Sequence, residues 1–82
     1  QKGDVTSKYF SIECKTSVTE KQSISIKKEW IDKIKEESFA MNKLGWALAF
    51  NFGELINSKN YYIINERLFK QLIQYMEDEE EK

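Results

Sequence analysis

Lys8-Tyr9-Phe10-Ser11-Ile12-Glu13-Cys14-Lys15 alternates apolar and polar side chains with a period of two, the pattern of a strand with one face turned into a core. Phe10, Ile12 and Cys14 make the apolar face. Tyr9, Ser11, Glu13 and Lys15 make the other, which sets a carboxylate and an ammonium side by side. Just upstream, Gly3-Asp4-Val5 offers a second carboxylate beside a glycine that lets the backbone turn tightly. If the chain folds back between Asp4 and Tyr9, Asp4 sits across from Glu13. Two carboxylates and a lysine brought to one point would hold a divalent cation, with a group beside it for water or phosphate.

Working outward, Thr16 to Ser23 is polar without helical periodicity and reads as a loop carrying Lys21 and Gln22. Ile24 and Ile26 alternate with serines and lead into a helix expected from about Lys27 to Asn42. Its inner stripe is Trp30, Ile31, Ile34, Ser38 and Met41. Lys27 is a candidate cap with Ile26 and Ile31 stapled across it, and Asn42 and Gly45 are stop signals. Gly45-Trp46-Ala47-Leu48-Ala49-Phe50-Asn51-Phe52-Gly53 is apolar on both faces and bounded by glycines, as a central strand reads. Strand, helix and strand in this order imply a parallel crossover. A polar loop from Glu54 to Lys59 leads to a further strand at 60–64. Asn65 is then placed to cap a last helix with a buried stripe of Leu68, Phe69, Leu72, Ile73 and Met76. The fold class is therefore α/β: a mixed β-sheet with a parallel strand-helix-strand crossover and flanking helices.

Eighty-two residues suit one domain, here residues 1–76, with 77–82 as an acidic tail expected to fray into solvent. That tail holds five acids and one base, which leaves 12 bases and 9 acids in the body. A body of +3 is compatible with a nucleic-acid partner. One cysteine and no histidine exclude an internal disulfide framework, Cys/His zinc sites and Ser–His or Cys–His nucleophiles. With no membrane-length apolar run and no secretory signal, the setting expected is reducing and cytoplasmic. The sequence starts at Gln1 without a methionine, so the expectation is that its natural N-terminus lies elsewhere.

Glu-x-Lys alone is a weak signal in a chain rich in both residues. Glu80 and Lys82 repeat it in the tail, and a solvent-facing salt-bridge ladder explains it equally well. Context separates the two. Gly3-Asp4-Val5, Phe10 to Thr16, a helix, a glycine-flanked strand and Tyr61-Tyr62-Ile63-Ile64 together resemble the PD-(D/E)XK, or restriction-endonuclease-like, nucleases. Within them the order is most similar to small Holliday-junction resolvases and their phage relatives. The resemblance spans nearly the whole chain except the tail, on three motif residues: Asp4, Glu13 and Lys15. Gly3 stands where the motif has proline, and the family's first helix and first strand would precede this sequence.

What the resemblance implies is Mg²⁺- or Mn²⁺-dependent hydrolysis of DNA by an endonuclease, with branched or duplex DNA as the expected substrate. Asp4, Glu13 and the Cys14 backbone carbonyl would hold the metal, and Lys15 would orient or deprotonate water or contact the phosphate. Lys21, Gln22, Lys27 and Lys28 are the candidates for nucleic-acid contact, and an ordinary solvated surface explains them as well. Trp46, Phe50 and Phe52 read as core, with Tyr61 or Tyr62 the candidates for base stacking. The alternative function is a non-catalytic nucleic-acid or protein-binding module. Two helices covering so small a sheet, and a two-site requirement for symmetric cutting, imply a homodimer or larger assembly.

Overall fold

The structure, a computed structural model, describes residues 4–6, 8–56 and 59–81, with 4–6 described by backbone alone. Its elements are β1 (Asp4–Thr6), β2 (Phe10–Lys15), α1 (Lys28–Ala40), β3 (Gly45–Phe50), β4 (Tyr61–Ile64) and α2 (Glu66–Glu80). The sheet order is β1-β2-β3-β4. β1 and β2 form an antiparallel hairpin, β2 and β3 run parallel across α1, and β3 and β4 are antiparallel. This is an α/β arrangement with one parallel pair. β1 is the short strand expected at Asp4 to Ser7, of which Ser7, like the preceding Gly3, lies outside the described residues.

The core sits between α1 and the middle of the sheet. Leu48 is 0% exposed and Ile34 1% exposed, with Ala47, Ala49 and Ser38 also buried. Lys15 Nζ lies 4.7 Å from the Trp30 ring centroid, so α1 covers the face that carries Lys15. By strand alternation and register, Ser11, Glu13, Trp46, Leu48 and Phe50 share that face. The sequence left open which face the crossover helix would cover, and it is the one carrying Glu13 and Lys15. All of β2 is half-buried, and on the other face Ile12 and Cys14 lie beside the buried Ala47 and Ala49.

α1 begins after Lys27, which occupies the cap position without a side-chain cap bond. It ends earlier than the periodicity suggests. Asn42 adopts φ 55°, Lys43 N–H donates to the Ser38 carbonyl at 2.9 Å and Asn42 N–H to that of Phe39 at 3.1 Å. These two bonds form a Schellman stop, with asparagine taking the left-handed position. Met41, expected in the inner stripe, is consequently exposed. Gly45 is no stop signal: it opens β3, where an added Cβ would meet Asn65, Leu68 and Phe10 within 3.2–3.4 Å. β3 also stops at Phe50, short of Gly53.

α2 departs most from expectation. None of its residues is buried, although Leu68 reaches the Gly45 position. Phe69, Leu72, Ile73 and Met76 are exposed, and the first turn lies against the sheet at Gly45 through Leu68. The segment expected to fray continues the helix through Glu80, with a Gln74–Asp78 side-chain hydrogen bond of 3.0 Å one turn apart. Asn65 sits at the cap position but makes no cap bond, and its buried Oδ1 has no hydrogen-bond partner among the described residues.

Candidate functional site

The carboxyl ends of β2 and β3 lie side by side, with Lys15 in register with Phe50. Residues 16–27 lead from that end into α1, so the helix starts beside the strand ends. In α/β sheets this edge commonly receives ligands, and a helix N-terminus there favours anions. The intervening loop is tied down. Lys21 N–H donates to the Phe52 carbonyl at 2.8 Å, Ser17 Oγ lies 3.4 Å from the Asn51 carbonyl oxygen, and Gly53 N–H donates to Asn51 Oδ1 at 3.0 Å. Gly53 has φ +74°, and a Cβ there would fall 2.4 Å from the Thr19 carbonyl oxygen, so the loop closes over a position that excludes a side chain.

At this edge Lys15 Nζ and Glu13 Oε2 form an ion pair of 2.8 Å. The Glu13 side chain is 17% exposed and that of Lys15 33%, so water screens the pair less than at an open surface. Trp30, in the first turn of α1, sets its ring against the Lys15 ammonium, and Lys27 Nζ approaches the same ring to 5.9 Å. Both ammonium groups thus lie within the range at which the indole's π-system attracts a cation. Asp4 holds the register position directly opposite Glu13; its side chain lies outside the described residues.

Glu13, Lys15 and the backbone position of Asp4 come together at this point, and Lys27 joins them through Trp30. The other candidates for nucleic-acid contact do not join in the same way. Lys21 and Gln22 are exposed on the loop, and the Lys28 ammonium is held by Asp32 at 2.9 Å, one turn along α1. Cys14 alternates onto the face opposite Glu13, so its sulfur is turned from the site. Trp30 lies half-buried on the inner stripe where periodicity placed it, but its contact with Lys15 was not among the expected site features. The signal that could have found it is its place in the first turn of the helix that follows the Glu-x-Lys strand.

Phe50, Phe52 and Tyr61 form an aromatic cluster with ring centroids 5.7–5.8 Å apart. Tyr61 and Tyr62 are exposed. Among the described residues no helix is long and apolar enough to cross a membrane, and no group of three or more His, Cys, Asp or Glu side chains is gathered as for a metal ion.

In comparisons with known proteins, no family model, curated protein or solved structure matches the chain.

Proposed function

We propose that this chain is a metal-dependent DNA endonuclease with a restriction-endonuclease-like core, acting on branched or duplex DNA. The observation that carries the reading is the meeting of three motif positions. Asp4 is in register with Glu13, and Glu13 pairs with Lys15 at 2.8 Å, beside the N-terminus of α1. The donors fit a hard divalent cation such as Mg²⁺ or Mn²⁺: Glu13 is a half-buried carboxylate, and the position opposite it is an aspartate. Asp4, Glu13 and the Cys14 carbonyl would hold the ion. When bound it supplies positive charge for the phosphodiester at the transition state.

The remaining work belongs to the chain. Lys15, held by Glu13 and backed by Trp30, presents an ammonium to a phosphate oxygen or to the attacking water. Trp30 keeps bulk water off one side of that ammonium, which strengthens its field. Lys27 and the α1 N-terminus add positive potential along the backbone path of the nucleic acid.

The test is cleavage of four-way-junction, flap and plain duplex DNA with added Mg²⁺ or Mn²⁺. The expected result is cutting that is lost in Glu13→Gln and in Lys15→Ala, with circular dichroism unchanged. Cutting that survives both substitutions overturns the assignment of the site. Binding of DNA without cutting by the native chain points instead to a non-catalytic nucleic-acid-binding module.

A further inference from the structure

α2 carries a long apolar stripe with little laid against it. Phe69, Leu72, Ile73 and Met76 are 39–67% exposed. The whole chain exposes 6930 Å², whereas a compact monomer of this mass exposes roughly 5,200 Å². Its radius of gyration is 14.6 Å, against about 12 Å for a compact chain of this length. Per copy, this excess is about twice the roughly 800 Å² that each partner of a standard interface buries.

We infer that α2 pairs with α2 of a second copy of this chain, antiparallel, across a two-fold axis passing between Leu72 and Ile73. The pattern of the stripe indicates this. Phe69, Leu72, Ile73 and Met76 are spaced symmetrically about that midpoint, so a reversed copy presents the same pattern. Phe69 then meets Met76 of the second copy, and Leu72 meets its Ile73. A two-fold contact requires this self-complementarity.

Charge fixes the direction. Arg67 and Lys70 lie in the first half of α2, and Glu77, Asp78, Glu79, Glu80 and Glu81 follow the stripe. Parallel pairing would crowd the acidic ends of both copies together. Antiparallel pairing separates them and sets each near the basic half and positive dipole end of the other helix. Four side chains of roughly 150–200 Å² each, about half exposed, contribute on the order of 700 Å² across the two copies before flanking polar side chains are counted. That places the pair at the weak end of specific interfaces. The inference is independent of the nuclease reading.

Sedimentation equilibrium of the 82-residue chain over a micromolar series is expected to show twice the monomer mass of 9.8 kDa. Leu72→Asp with Ile73→Asp should return it to monomer, with helix content kept because both side chains are exposed in the single chain. Direction is read by cross-linking in a Cys14→Ser background. Phe69→Cys chains mixed with Met76→Cys chains should form a disulfide, whereas Met76→Cys alone should not. In the antiparallel pair the two copies of position 76 are about 10 Å apart along the axis at about 1.5 Å per residue, beyond the reach of a disulfide. Efficient linkage through Met76→Cys alone overturns the antiparallel arrangement. A monomer at every concentration overturns the pairing itself and assigns the stripe to a different protein or to chain outside this sequence.

Discussion

α1 and α2 invert the usual relation between an apolar stripe and burial. α1 has the poorer stripe: Trp30, Ile31, Ile34 and a serine. Yet Ile34 and Ser38 are buried against β3, and Ser38 Oγ donates to the Gly45 carbonyl at 3.0 Å. α2 has Leu68, Phe69, Leu72, Ile73 and Met76, and buries none of them. Connectivity makes the difference. α1 joins two parallel neighbouring strands and must lie across the sheet, whereas α2 follows β4 and, among the described residues, joins no second strand that would draw it back over the sheet. An amphipathic pattern states that a helix needs cover; the covalent path decides whether the same chain supplies it.

The comparison is broken most sharply by paired truncations. Ile34→Ala should cost about 2–5 kcal/mol, the range for emptying a closed core site. Ile73→Ala, made at a concentration low enough to exclude association, should cost about 1 kcal/mol or less. Urea melts of both variants decide it. Equal losses would show α2 packed on its own sheet and remove the contrast.

Gly53→Ala tests the strap that leads into α1. With φ +74° and the Thr19 carbonyl in the way, the cost should be about 1–3 kcal/mol, seen as a lower urea midpoint with unchanged slope. A neutral substitution would show the strap contributes nothing to holding α1 in place.

Ser38→Ala removes the buried hydroxyl bond to Gly45 and should cost about 1 kcal/mol. Cysteine at the same position, close in size but a weaker donor, should recover little of it. Full recovery would make the serine a matter of volume alone.

The smallest effect belongs to the start of α2. Losing an N-cap side chain ordinarily costs about 1 kcal/mol, but Asn65 makes no cap bond and buries an oxygen without a partner among the described residues. Asn65→Ala should therefore stay within about 0.5 kcal/mol of the native chain. A loss of the ordinary size would mean the cap forms in solution and α2 is better anchored than its exposure implies.

Much of the sheet was legible because its signals are local. Period-two alternation marks β2, glycine-bounded apolar residues mark β3, and the spacing from Asp4 to Glu13 suits a hairpin that puts them opposite each other. The covered face was not legible. Alternation separates Phe10, Ile12 and Cys14 from Ser11, Glu13 and Lys15, but says nothing about which side a crossover helix will occupy. The contact of Trp30 with Lys15 was hidden for the same reason, since the two lie fifteen positions apart on different elements. The length of α1 was overestimated because Asn42, a left-handed stop, sits beside an apolar Met41 that extends the stripe on paper.

The parallel pairing of β2 with β3 has a consequence for the route by which the chain folds. Phe10 meets Gly45 across 35 positions, whereas Asp4 meets Glu13 across 9 and Phe50 meets Tyr61 across 11. Two short hairpins can therefore close early, since loops of about ten residues form in roughly 10–100 ns. Their union waits for α1 to span the gap, so the slow step is the docking of two preformed halves through one helix. Substitutions at Ile34 should then slow refolding, and those in α2 should chiefly hasten unfolding, which the two arms of a chevron plot separate.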